Sequence, residues 1–205
     1  MTSLSSDDRQ RIRIAIEQAE QATSAEFVTV IARRADSYPF FPLILSTVSV
    51  FTASVVAMLA WPDLEASQLV VGQLTAYGIL SLVLRWPPLL MRFIPAGIRR
   101  GRARAKAHIT YVDLGLATAP DRNGILFFVA LGERYVEVIA DQGVARHIDD
   151  TIWEGIVADF VAAVKRGAVA DGFVAAIEAC GAQLRENLPA MANEENRFDD
   201  HLIEL

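Results

Sequence analysis

Arg134 and Asp141 are the residues here whose types and setting could do chemistry. Arg134 follows a tight Gly132-Glu133 turn, and Asp141 closes the strand that comes next, beside Gly143. A planar guanidinium in a turn suits bidentate capture of a carboxylate or a phosphate. An Asp at a strand end, next to a residue without a Cβ, leaves room for a ligand to approach. The two mark one neighbourhood and are the candidate catalytic pair. Asp36, Asp121 and Asp141 would together offer the oxygen donors that Ca2+ or Mg2+ prefers, so they are the candidate metal ligands. An ordinary turn also accounts for Asp141-Gln142-Gly143, because Asp and Gly suit turn backbone for their own reasons.

Other reactive types are scattered. Cys180 is alone, which excludes an internal disulfide and a CxxC metal pair. It lies inside a helical pattern, with no following Arg at the spacing of a phosphate-binding loop. No Asp-x-Asp stands at a strand end to serve as nucleophile and acid. His108, His147 and His201 lack the Asp/His clustering of a two-metal site. His108 reads as a satisfied core or interface histidine. Asp149 and Asp150, after His147, read as helix-capping acids.

The elements that must position these residues follow from periodicity. Ser5 and Asp8 have capping-box spacing, and Ile12, Ala15, Ile16 and Ala19 then share one helix face. Thr23-Ser24 ends that helix, and Glu26 to Ala32 is a strand rich in β-branched residues. Ala105, His108, Ile109, Val112 and Leu116 mark the apolar face of a second helix. Ile125 to Leu131 is a continuously apolar strand, buried on both sides. The Gly132-Glu133 turn is short enough to make Tyr135 to Ala140 its antiparallel partner. Two helices close the order, one with Thr151 and Glu154 at capping-box spacing and Ile156, Val157, Phe160, Val161 and Val164 inward. The other turns Phe173, Val174, Ile177, Gly181 and Leu184 inward. That order implies an α/β fold, a small mixed sheet covered by helices.

An insertion interrupts this domain. No charged residue occurs from Phe40 to Ala60 or from Leu69 to Leu84, and about 20 apolar residues cross a bilayer as a helix. The expected spans are 40–60 and 69–86, with Trp61, Arg85 and Trp86 at the interfaces. The soluble chain of a protein this size is too small to bury such a hairpin in a core of its own. Domain boundaries follow: 5–36 and 99–187 form the two parts of the soluble domain. Residues 37–98 hold the hairpin and juxtamembrane segment, and 188–205 an acidic tail.

Charge orients the hairpin. The link between the spans has no basic residue, whereas Arg33 and Arg34 precede them and Arg85, Arg92, Arg99, Arg100, Arg102, Arg104 and Lys106 follow. An excess of Lys and Arg marks the cytoplasmic side, so both termini are expected in the cytoplasm and the protein in the cytoplasmic (inner) membrane. Residues 1–24 carry no apolar signal-type segment. The basic run 99–106 sits where anionic lipid headgroups would meet it, a simpler account than nucleic acid.

The strand blocks resemble a known family. Thr23-Ser24-Ala25-Glu26-Phe27-Val28-Thr29-Val30, Asn123-Gly124-Ile125-Leu126-Phe127-Phe128-Val129, and Glu133-Arg134-Tyr135-Val136-Glu137-Val138-Ile139-Ala140-Asp141-Gln142-Gly143-Val144 are similar, in order and spacing, to the three strand motifs of the TPM domain family. Ala25 stands where the family usually has Gly. The hairpin and the closing Asp200-His201-Leu202-Ile203-Glu204-Leu205 resemble a bacterial membrane-anchored branch. The resemblance implies a TPM-like fold and two functions. One is an accessory or interaction protein of a membrane complex. The other is a membrane-anchored phosphohydrolase of acid-phosphatase type, for which the candidate Asp ligands above would take Ca or Mg.

Overall fold

Alternation along the strands divides the core in two. In the computed structural model, which describes residues 4–118, 122–189 and 203–205, β1 (Glu26–Ala32) and β2 (Gly124–Ala130) pair in parallel with Glu26 opposite Gly124 and Ala32 opposite Ala130. β3 (Tyr135–Ala140) runs antiparallel on β2, with Ala130 opposite Tyr135 and Ile125 opposite Ala140. The sheet order is β3-β2-β1-β4, so it is mixed. Side chains alternate between faces. Phe27, Ile31, Ile125, Phe127 and Val129 enter one core, and Val28, Val30, Ala32, Leu126, Phe128 and Ala130 enter the other.

The first core is covered by α1 (Ser6–Glu20), α7 (Asp150–Lys165) and α8 (Val169–Asn187). Phe127, Phe160 and Phe173 meet edge to face there, with ring centroids 4.8 to 5.9 Å apart. The Ser5–Asp8 capping box forms as expected, with Asp8 N–H donating to Ser5 Oγ and Ser5 N–H to Asp8 Oδ2. At α7 the cap is Asp149, whose Oδ1 accepts the Thr151 amide and hydroxyl. Thr151 and Glu154 therefore do not form the expected capping box. The acid two residues earlier meets the free amides first.

The second core is covered by α5 (Ala96–Asp113), followed by a 3-10 turn at Leu116–Thr118. The helix is where periodicity puts it, but it faces the other way. Ala103, Ala107, Thr110 and Tyr111 are buried, whereas Ala105, His108, Ile109 and Val112 are exposed. Two alanines let the backbone lie close on the sheet, and that close approach outweighs the burial of larger side chains. Leu116 is buried as expected.

The chain divides into two compact units, Met1–Ala35 with Gly101–Leu205, and Asp36–Arg100. The second contains α2 (Phe40–Ala60) and α3 (Ala66–Val83), both long and apolar enough to cross a membrane. Pro42, Ser46, Val50 and Ser54 form the buried stripe of α2. Gln73 Nε2 donates to Ser54 Oγ at 2.8 Å and ties α3 to it. Thr47, Thr52 and Thr75 turn outward and return their hydroxyls to carbonyls four residues earlier. Arg85 and Trp86 lie in the turn after α3. A short α4 (Pro87–Phe93) then packs Leu90 against Tyr38 and Ile94.

The final described residues were expected only as acidic tail, but Ile203–Glu204 form β4, a parallel edge strand with Ile203 opposite Val30.

Candidate functional site

Asp141 ends β3 and caps a short α6 (Gln142–Ala145), its Oδ1 accepting the Gln142 amide at 2.6 Å. Its own amide donates to Gly124 O, and Gly143 N–H donates to Arg122 O at 2.8 Å. The start of β2 and the end of β3 are thereby tied to α6. Arg122 takes a left-handed backbone (φ 52°), which brings its guanidinium onto the carboxylate. Arg122 Nε lies 3.1 Å from Asp141 Oδ1 and 2.9 Å from Oδ2. Gly124 is required at this junction, because a Cβ there would stand 2.9 Å from Leu116 O.

Tyr111, from the end of α5, completes the group. Its hydroxyl and Asp141 Oδ2 are both buried, and neither makes a well-directed hydrogen bond. Burial first, and the nearby Asp141 charge second, push the phenol up to about 12. The arrangement is a carboxylate neutralised by one arginine, capping one turn and facing one neutral phenol. Tyr111 and Arg122 did not emerge from sequence reasoning. Neither lies in a local pattern around Asp141, and only the packing of α5 on β2 brings them there.

Arg134 does not join this group. Arg134 sits at the far end of β3 from Asp141, exposed and left-handed (φ 54°). A six-residue strand holds the two about 20 Å apart, so they form no common neighbourhood. The turn's buried residue is instead Glu133, whose Oε2 accepts the Ala35 amide at 3.0 Å. Asp36 belongs to the other unit, where its carboxylate accepts the Tyr38 amide. Asp121 lies outside the described residues. Among those described, no three His, Cys, Asp or Glu gather as a metal set.

A second polar group lies on β3. Tyr135 Oη donates to Glu137 Oε2 at 2.9 Å, while Arg104 Nε and His108 Nε2 from α5 stand 3.7 and 3.8 Å from Oε1. Burial and the Glu137 contact raise the Tyr135 phenol. His108 is thus half-exposed beside Glu137 and not a core histidine. The turn of α5 that exposes Ile109 also presents His108 to Glu137.

Comparison with known proteins bears on both fold and family. Residues 102–183 match the family described as the TPM domain. The match runs from α5 into α8 and includes β2, β3 and the Arg122–Asp141 pair. No curated protein matches the chain. Among solved structures, the BA42 protein of the psychrophilic bacterium Bizionia argentinensis, determined by NMR, is similar at a TM-score of 0.62 and 15% identity. That likeness covers 99% of this chain and 96% of that one, and at such identity it shows the fold alone.

Proposed function

From the match of residues 102–183 to the TPM domain family, we propose that this protein is a membrane-anchored accessory factor that binds a membrane-protein partner. The hairpin holds it in the bilayer, and the basic residues 99–106 meet anionic lipid headgroups. The observation that carries this reading is the outward face of the hairpin. Phe51, Val55, Val56, Leu59, Val70, Val71, Leu74, Ile79 and Leu82 are all more than half exposed. A surface that apolar is stable in hydrocarbon and not in water. Basic residues on both flanks and none in the link support a cytoplasmic position for the two soluble segments.

The state of Asp141 favours an interaction role over phosphoryl transfer. Arg122 and the Gln142 amide engage its Oδ1, and among the described residues no three His, Cys, Asp or Glu gather beside it to hold a metal. The test is carbonate extraction, then purification in mild detergent with quantitative mass spectrometry. Retention in the membrane with a stoichiometric membrane-protein partner supports the reading. Release by carbonate, or recovery without any partner, overturns it. Turnover of p-nitrophenyl phosphate that is lost in Asp141→Asn would establish the phosphohydrolase instead.

A further inference from the structure

Among the described residues, only Val30 and Ile31 at the outer edge of β1 pair with β4. Leu205 N–H donates to Ile31 O at 2.9 Å, and Arg33 N–H to Leu205 O at 3.0 Å. Ile203 is partly buried against the core that α5 covers. Glu204 points to the other face, where its Oε1 lies 2.5 Å from Arg9 Nε, with both side chains substantially exposed. An exposed pair of that kind holds weakly.

Beneath this light cover is a strand ready to pair. β1 is buried along nearly its whole length, and an uncovered edge of such a strand is a template for another extended segment. The covering strand is itself only two residues long, Ile203–Glu204, so its displacement breaks few backbone hydrogen bonds.

We propose that the β1 edge is an acceptor for an extended, parallel segment with an acidic residue between two aliphatic ones, and that Ile203–Leu205 is a displaceable latch on it. The latch displays the recognition chemistry. Backbone bonds to Ile31 and Arg33 supply sequence-independent affinity, the Ile203 position reads an aliphatic side chain, and Arg9 reads the acid. The occupant is therefore a partner peptide of that pattern, competing with the chain's own copy. The proposal uses neither Asp141 nor the membrane. It draws on the accessory reading only for the existence of a partner, and a peptide assay tests the edge whether or not a partner is recovered from membranes.

The probe is a fluorescent peptide of residues 199–205, added to detergent-solubilised full-length protein and to a variant lacking 203–205. Because the latch belongs to the same chain, it competes with the peptide as an intramolecular ligand. Full-length protein should therefore bind the peptide measurably, and the truncated variant at least ten-fold more tightly. Arg9→Glu should weaken capture several-fold, and a peptide with Glu204→Arg should restore it. Hydrogen exchange on the unaltered chain covers the case in which truncation disturbs folding. The Leu205 and Arg33 amides should exchange at least a hundred-fold faster than that of Phe127. Protection of Leu205 equal to Phe127, no capture by the full-length chain at mM peptide, or capture indifferent to the charge swap would each overturn the proposal.

Discussion

Arg122 Nε lies 2.9 Å from Asp141 Oδ2, across nineteen positions of sequence. The partners are unequal. The Asp141 side chain is 6% exposed and that of Arg122 53%. The arginine therefore keeps much of its hydration, while the carboxylate depends on the arginine and on the Gln142 amide. Arg122→Ala should cost about 1–3 kcal/mol, the penalty for leaving a buried polar group short of a partner, toward the lower end because water reaches this pair. Arg122→Lys should recover part of it. Urea unfolding of the three proteins measures the difference, and a loss under about 0.5 kcal/mol would mean that water replaces the guanidinium.

Tyr111 gives the same site a pH signature. Its phenol is raised in the folded protein to about 12 from the ordinary 10. Folding therefore favours the protonated form. That stability is fully present below pH 10 and is lost as pH rises from about 10 toward 12. Tyr111→Phe removes the titrating group together with a buried hydroxyl that makes no well-directed bond. The variant should match the parent at pH 8 to within about 1 kcal/mol and should lose less stability by pH 11. Thermal melts at the two pH values measure this, and parallel losses in both proteins would exclude Tyr111 as the source.

β1 and β2 were legible because their burial is nearly complete, and the half-buried β3 because it follows a tight turn. Glu26–Ala32 and Tyr135–Ala140 are found with the bounds that β-branched and apolar runs imply. The hairpin was legible for a similar reason, since a long uncharged run leaves few alternatives. The orientation of α5 was not legible. Ile109 and Val112 satisfy helical periodicity as well as Ala103 and Ala107 do, and hydrophobicity alone chooses the larger pair. Only the distance between helix and sheet selects the alanines. The site shows the same division. Asp141 announces itself at a strand end, but its partners come from α5 and from before β2, and a contact between distant elements leaves no mark on local pattern. β4 was invisible because a two-residue strand has no period.

Close packing of α1 on α8 yields a steric prediction. A Cβ added at Gly181 would lie 2.9 Å from Ala19 Cβ and 3.2 Å from Ala19 Cα. The second atom is backbone, so relief requires the helices to separate. Gly181→Ala should therefore destabilise by about 1–3 kcal/mol, although alanine is the better helix former by up to about 1 kcal/mol. Gly155→Ala, also helical but with nothing near its Cβ, is the control and should stabilise slightly. If both variants gain stability, the helices can spread without cost, and Gly181 is present for another reason.

Cys180 reports on the same core from inside. It is wholly buried on α8, and burial alone pushes its thiol up to about 12. The reactive species is the thiolate, and at pH 8 the folded protein holds almost none of it. Iodoacetamide should therefore leave the native chain unmodified over hours, while the urea-unfolded chain reacts at the rate of a free cysteine. Because Cys180 packs with Ile12, Ile16, Phe127 and Phe173 in one cluster, its exposure requires that cluster to open. Across a urea titration, the onset of alkylation should coincide with loss of the circular dichroism signal. Alkylation well before that loss would mean that α8 detaches from the sheet as a unit of its own, and that the core is less cooperative than its packing implies.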